Sequence, residues 1–408
     1  MQFGVLITAA ILLTTFHAGA DWSQWRGAGR DGAVSGKKWP ATLDKLVRKW
    51  SLPLNASYSG PVMNEKLVFT TESKERQYEL AHAVDRNTGK IVWTAQWEGY
   101  QGVPFFAARN GDWIRSTPAL TAESLYVCGM KDLLVSLDVR TGKEQWRLDF
   151  PADMKAKTQS FGFACSPLVE GDALYVHGGA GLCRLDRKTG KLIWRALDDG
   201  GGMNGGSFSS PVVATIGGKQ QIISQGRTSV SGLDLQTGSQ LWSQPIKAFR
   251  GMNIFTPVIK GNRLFTSAYD GVSQGWDLGK AEGGSFKVVM AWEHKAEGYM
   301  STPLVISGKI FMHLRNKRFT CLDLATGAQD WVTDEKFGEY WSMVYQGSRI
   351  LALDQRGILY YIQASPKRFE LIGQQKVADT EAWAHLAVDD GMVVVRSLTA
   401  LTAFDWAE

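Results

Sequence analysis

Five segments of the chain repeat one pattern, Asp-x-x-Thr-Gly-x-x-x-Trp, and no other feature restricts the fold as tightly. They begin at Asp85, Asp138, Asp186, Asp234 and Asp323, carry Gly89, Gly142, Gly190, Gly238 and Gly327, and end at Trp93, Trp146, Trp194, Trp242 and Trp331. Successive Asp residues lie 53, 48 and 48 positions apart, and the 89-residue gap before Asp323 holds a degenerate copy from Asp277 to Trp292. A period of about 50 residues is the length of one four-stranded blade of a β-propeller. In such a hairpin Asp accepts N–H groups of the turn and Gly takes the φ > 0 position. The Trp then fills the gap to the neighbouring blade.

A second marker precedes each hairpin: Ser59-Gly-Pro61, Ser116-Thr-Pro118, Ser166-Pro167, Ser210-Pro211, Thr256-Pro257 and Thr302-Pro303, with weaker copies at Ser342 and Ala384. Proline is tolerated at the first residue of a strand, so these read as eight innermost strand starts. The expected fold is all-β, an eight-bladed propeller of four-stranded antiparallel blades over residues 45–408. Phe404-Asp405-Trp406 ends where the last blade still lacks its outer strand, and the segment from Leu46 to Leu52 has that strand's character. Closure of the ring by the N-terminal strand protects sheet edges that would otherwise aggregate. Residues 21–44 then form an arm expected against the propeller rim.

Residues 1–20 read as an export leader: an uncharged apolar run from Val5 to Phe16 is followed by the small residues Ala18, Gly19 and Ala20. The run is too short to span a membrane, and no later stretch approaches that length. A periplasmic or secreted monomer is expected after cleavage near Ala20. The net charge of +5 is a mild excess that excludes a dedicated nucleic-acid binder. Cys128, Cys165, Cys183 and Cys321 are scattered along strand-like segments and read as buried thiols, with bridging left open.

The repeat with Asp-x-x-Thr-Gly-Lys-x-x-Trp, and the opening Trp22-Ser-Gln-Trp25-Arg-Gly27 with Gly29-Arg-Asp-Gly32, resemble the pyrroloquinoline quinone (PQQ)-like propeller repeat proteins over nearly the whole mature length. Two branches share that fold. One comprises the quinoprotein dehydrogenases, which seat PQQ and Ca²⁺ on the propeller axis. The other, closer in size, is the non-catalytic periplasmic lipoprotein scaffold of the outer-membrane barrel-assembly machinery. The chain has no vicinal Cys pair and no Cys-x-x-Cys-His haem site, and it has no Cys after Ala20 to carry a lipid. The resemblance thus implies a scaffold with an envelope protein partner and no cofactor, and leaves PQQ with calcium open as the alternative.

Other chemistries find little support. Gly200-Gly-Gly-Met-Asn-Gly-Gly206 lacks the Lys-Ser/Thr ending of a phosphate cradle and reads as a loop. The histidines show no metal-binding spacing, and Asp198-Asp199 and Asp389-Asp390 sit beside Gly in turns. No metal site and no catalytic residue are assigned.

Geometry points to one end of the propeller, where connections into the innermost strands and turns between second and third strands emerge together. Aromatics beside the strand starts are Tyr58, Phe163, Phe208, Phe255, Tyr299, Trp341 and Trp383. Cations at the second-to-third strand turns are Arg76, Lys131, Arg227, Arg315, Lys317, Arg318, Arg356 and Arg396, joined by Arg115. Together they form a candidate aromatic and basic face for a ligand or partner. The leading expectation is an exported, non-enzymatic scaffold for protein–protein contact. Alternatives are a PQQ-dependent oxidoreductase with an atypical site and a binding module for an anionic carbohydrate or cell-wall polymer.

Overall fold

In the computed structural model, which describes residues 22–280 and 285–406, eight four-stranded antiparallel sheets form the ring. The expected leader, residues 1–20, and its expected cleavage point lie outside the described residues. Blades 1 to 7 span residues 62–98, 119–149, 168–196, 212–245, 258–294, 304–332 and 341–376. Blade 8 takes three strands from residues 387–406 and its outer strand from Leu46–Pro53, which pairs with Ala400–Trp406 from Leu46↔Trp406 to Pro53↔Ala400. The N-terminal strand therefore closes the ring, as the repeat count requires.

The repeat motif forms the hairpin between the third and fourth strands, at the lower end of the ring. In the Asp186 turn the carboxylate Oδ1 accepts the Lys188 N–H at 3.0 Å, and the Thr189 N–H and hydroxyl at 2.8 Å each. Asp85, Asp138 and Asp323 do the same. Gly190 adopts φ +71°, and a Cβ on it would lie 2.6 Å from the Trp146 ring of the preceding blade. The glycine is thus fixed twice, by backbone conformation and by the indole stacked against it. The same indole donates Nε1–H to the carbonyl of Arg187 at 3.2 Å, and Trp93 repeats this to Val139 at 2.8 Å. An indole bonds and so staples the next blade in the same way from blades 1, 2, 3, 5, 6 and 8, whereas the outer strand of blade 7 carries no Trp. Trp242 departs from the rule: blade 5 has the degenerate turn, and its indole donates instead to Gln221 of its own blade.

The Ser/Thr markers link the inner strands. Thr117 accepts the Gly60 N–H, Ser166 accepts that of Thr117, Ser210 that of Ser166, Thr256 that of Ser210, and Thr302 that of Thr256, at 2.9–3.3 Å. Each hydroxyl holds its neighbour's backbone at the axis, where a strand start has no sheet partner for its N–H.

The first part of the arm lies at the channel and not on the rim. Residues 22–34 cross the lower mouth of the central channel and bond to the inner strands. Met63 and Leu120 donate backbone N–H to the carbonyls of Trp22 and Ser23, and Tyr345 exchanges two bonds with Gly32 and Val34. Arg26 reaches the Thr302 and Pro303 carbonyls at 2.7 Å, while Arg30 reaches those of Pro167 and Ser166. Both arginines are fully buried, and burial lowers their pKa, to about 10 and about 9. The physical reason for the channel position is hydrogen bonding: inner-strand carbonyls around the axis need donors, and a guanidinium supplies several in one plane. Residues 37–43 run beneath blades 7 and 8, where Trp39 packs on Tyr361 and Trp406.

All four cysteines are buried and unbridged. Among the described residues no helix is long and apolar enough to cross a membrane.

Candidate functional site: the upper face

The upper end carries the connections between blades, and here regularity stops. They run through residues 99–118, 150–167, 197–211, 246–257, 295–303, 333–340, 377–386 and 54–61. A continuous aromatic run crosses the mouth of the channel over blades 7, 8 and 1. Tyr340 stacks on Trp383 (centroids 5.8 Å apart, planes at 20°), Trp383 meets Tyr58 at 5.9 Å, and Tyr58 meets Trp113 edge-on at 5.2 Å. All four are half-buried. Burial raises both phenols, Tyr58 to about 12 and Tyr340 further, so neither ionises near neutral pH. Trp383 is oriented by its Nε1–H bond to Glu381 at 2.9 Å.

Arg115 lies beside this run, held by the Gly111 and Trp113 carbonyls, and its pKa is lowered to about 10 by burial. Farther round, Arg315 covers the Tyr269 ring at 4.0 Å and Tyr269 packs on Tyr299 at 4.9 Å. Glu297 pairs with the same guanidinium at 3.2 Å. Arg227 sits 4.4 Å above Phe208 and 5.9 Å from Phe161. Arg76 is exposed and paired with Asp112 at 2.9 Å, and Arg356 pairs with the buried Asp354 at 2.6 Å.

Tyr58, Arg115, Phe208, Arg227, Tyr299, Arg315 and Trp383 therefore reach the mouth or its surround, whereas four other expected residues do not, among them Phe255, which is wholly buried against Phe265. Phe163 is 1 % exposed and packs on Phe150, and Trp341 is 1 % exposed among His313, Phe319 and Phe337. Arg396 is wholly buried, and its guanidinium bonds the Asn55, Ser397 and Thr71 carbonyls across the seam between blades 8 and 1. Alternation along an extended chain accounts for Trp341, whose immediate neighbour Tyr340 takes the outward place. Trp113, Tyr269 and Tyr340 are the mouth aromatics that spacing alone does not single out.

On the axis below this mouth, Trp25 is half-buried, with Arg26 and Arg30 at 5.5 and 5.4 Å from its ring and His385 edge-on at 5.9 Å. Burial, and then Arg26, press His385 down to about 3, so it stays neutral. The arm thus occupies the lower part of the axis, and among the described residues no three His, Cys, Asp or Glu side chains converge to hold a metal. These residues do not fit a quinone held by a divalent cation. What the mouth presents is flat rings, phenols and guanidinium groups.

Comparison with known proteins agrees with this architecture. The chain is 21 % identical to the outer membrane protein assembly factor BamB of Moranella endobia, over 86 % of its own length and 88 % of the relative's. Among solved structures, BamB from Moraxella catarrhalis superposes with a TM-score of 0.62 at 15 % identity, covering 89 % of this chain and 98 % of that one. The quinohemoprotein alcohol dehydrogenase from Comamonas testosteroni superposes with a TM-score of 0.55 at 14 % identity, covering 95 % and 80 %, a likeness of fold alone. The family model described as outer membrane protein assembly factor BamB matches residues 77–333, and the chain belongs to this PQQ-like repeat family.

Proposed function

We propose that the protein is an exported, non-enzymatic scaffold of the cell envelope whose upper face docks a protein partner. The observation that carries this reading is the half-buried run Trp113–Tyr58–Trp383–Tyr340 across three blades. Tyr, Trp and Arg are the residues enriched in protein interfaces, because large rigid rings give contact area at little entropic cost. The Tyr269–Tyr299–Arg315 group extends the same chemistry round the mouth. The relatives' name, outer membrane protein assembly factor, supports a partner engaged in that assembly. The apolar run and small residues before Asp21 support export with cleavage near Ala20.

The test is capture of envelope proteins by the wild-type chain and by Tyr340→Ala combined with Trp383→Ala. Loss of a specific partner, with the thermal melt kept close to wild type, supports the reading. Undiminished capture by the folded double variant contradicts it. Fusion of residues 1–30 to a reporter active only after export tests the location separately.

A further inference from the structure

The upper face is uneven, and its unevenness has a chemistry. Among the described residues, the exposed large apolar side chains that lie on connections between blades are Phe105, Phe106, Met203 and Phe249. All belong to the first half of the ring, blades 1 to 5. Phe105 is 91 % exposed and Phe106 59 %, and the two rings meet edge-on at 5.6 Å on a 3-10 turn, Phe105–Asn110, that buries none of its residues. Two adjacent phenylalanines held out in water are costly unless something covers them.

Five exposed cations interleave with them: Arg109, Lys155, Lys157, Lys247 and Arg250. None forms an ion pair among the described residues. The carboxylates of the same connections are turned to their own chain. Asp112 takes Arg76, Asp149 caps the Ala152 N–H, Asp198 pairs with Arg195, and Asp199 accepts the Gly201 and Gly206 N–H groups. The other half of the face differs: its connections carry Glu297, Asp334, Glu335, Glu339, Asp379 and Glu381 against Lys295 and Lys336, with no exposed large apolar side chain.

We propose that the Phe105–Phe249 arc seats the propeller on an anionic lipid surface, with Phe105 and Phe106 entering the headgroup region and the five cations pairing with lipid phosphates. A lipid occupant matches this arc better than a protein does. Lysine is depleted in protein interfaces, whereas three of these five cations are lysines. Lysine stems lie along apolar surface while the ammonium stays in water, and aromatic rings favour the membrane–water boundary. Each cation near an anionic leaflet raises partition roughly fivefold, and the attraction fades within a Debye length. The proposal stands apart from the protein-docking reading, which rests on the Tyr340–Trp383–Tyr58 run.

Co-sedimentation of the full chain with vesicles tests it, using phosphatidylcholine alone and phosphatidylcholine with one quarter phosphatidylglycerol. The expected result is binding to the anionic vesicles that weakens with salt. Lys155→Gln with Lys157→Gln lowers partition about 25-fold at low salt, while Lys90→Gln with Lys188→Gln, the same charge change at the lower end, leaves it unchanged. Phe105→Ser with Phe106→Ser abolishes the part that survives high salt, and these exposed sites leave the melt in place. Equal partition into both vesicle types, no partition of folded protein, or wild-type partition by the Phe double variant would each overturn the proposal. So would a Phe double variant that loses a captured envelope protein while its vesicle binding is unchanged.

Discussion

The two ends of the propeller follow opposite rules. At the lower end one turn recurs in four blades with the same three hydrogen bonds to an Asp Oδ1, and its glycine lies against the previous blade's Trp. At the upper end the connections differ in length and sequence, and Phe105, Phe106 and Phe249 are exposed there. Repetition marks what holds the ring together. Departure from it marks surface that the ring does not need, so an account of function has to be sought among the departures.

The sharpest way to break this division is to load both ends with the same kind of insult. Gly190→Val places a β-branched residue at φ +71° with its Cβ against the Trp146 ring, and is expected to cost about 4 kcal/mol in urea unfolding. A loss below about 1 kcal/mol would show that the staple is dispensable. The arm blurs the boundary, because it is irregular in sequence and yet buried. Arg26→Ala strands two buried carbonyls, those of Thr302 and Pro303, and is expected to cost about 3 kcal/mol and to expose the arm to protease. Wild-type stability in that variant would make the arm a passive filler.

A smaller effect isolates the staple's hydrogen bond. Trp194→Phe keeps a ring in the gap but removes the 3.3 Å bond to the Leu235 carbonyl, for about 1 kcal/mol. Glu79 sharpens the comparison through pH. Near the upper end of blade 1 it accepts the Met130 N–H and the Trp97 indole, and burial pushes its pKa up to about 7. Its folded pKa lies above the unfolded value. Its contribution is therefore fully present below the ordinary carboxylate range and is lost as pH rises through 7. The melting temperature of Glu79→Gln should gain on wild type between pH 5 and pH 8, and a constant difference would contradict the assignment. The smallest expected effect is at the outermost surface: Phe105→Ser should shift stability by less than about 0.5 kcal/mol.

What could be read from the sequence follows the same division. The Asp, Gly and Trp of the repeat were legible because near-equivalent blades impose one set of contacts, so the same residue types recur in full in five of the eight. Blade count and closure by Leu46–Pro53 came from the same arithmetic. The arm was not legible in this way, because Trp22, Arg26 and Arg30 each meet a different blade and leave no period to detect. The upper face was legible as a place and only partly as residues. One step of parity separates Tyr340 at the mouth from Trp341 in the core, and Arg396 looked like a surface turn residue while it serves the seam. Exposure, which singles out Phe105 and Phe106, is a property of the folded chain alone.

The most direct test of the central claim, that partner recognition lives on the upper mouth, is site-specific photo-crosslinking in cells. A photoreactive residue at Trp383 is compared with one at Thr189 in a lower turn. The account predicts a discrete protein adduct from Trp383 and none from Thr189. A specific adduct from Thr189, with none from Trp383, would contradict it.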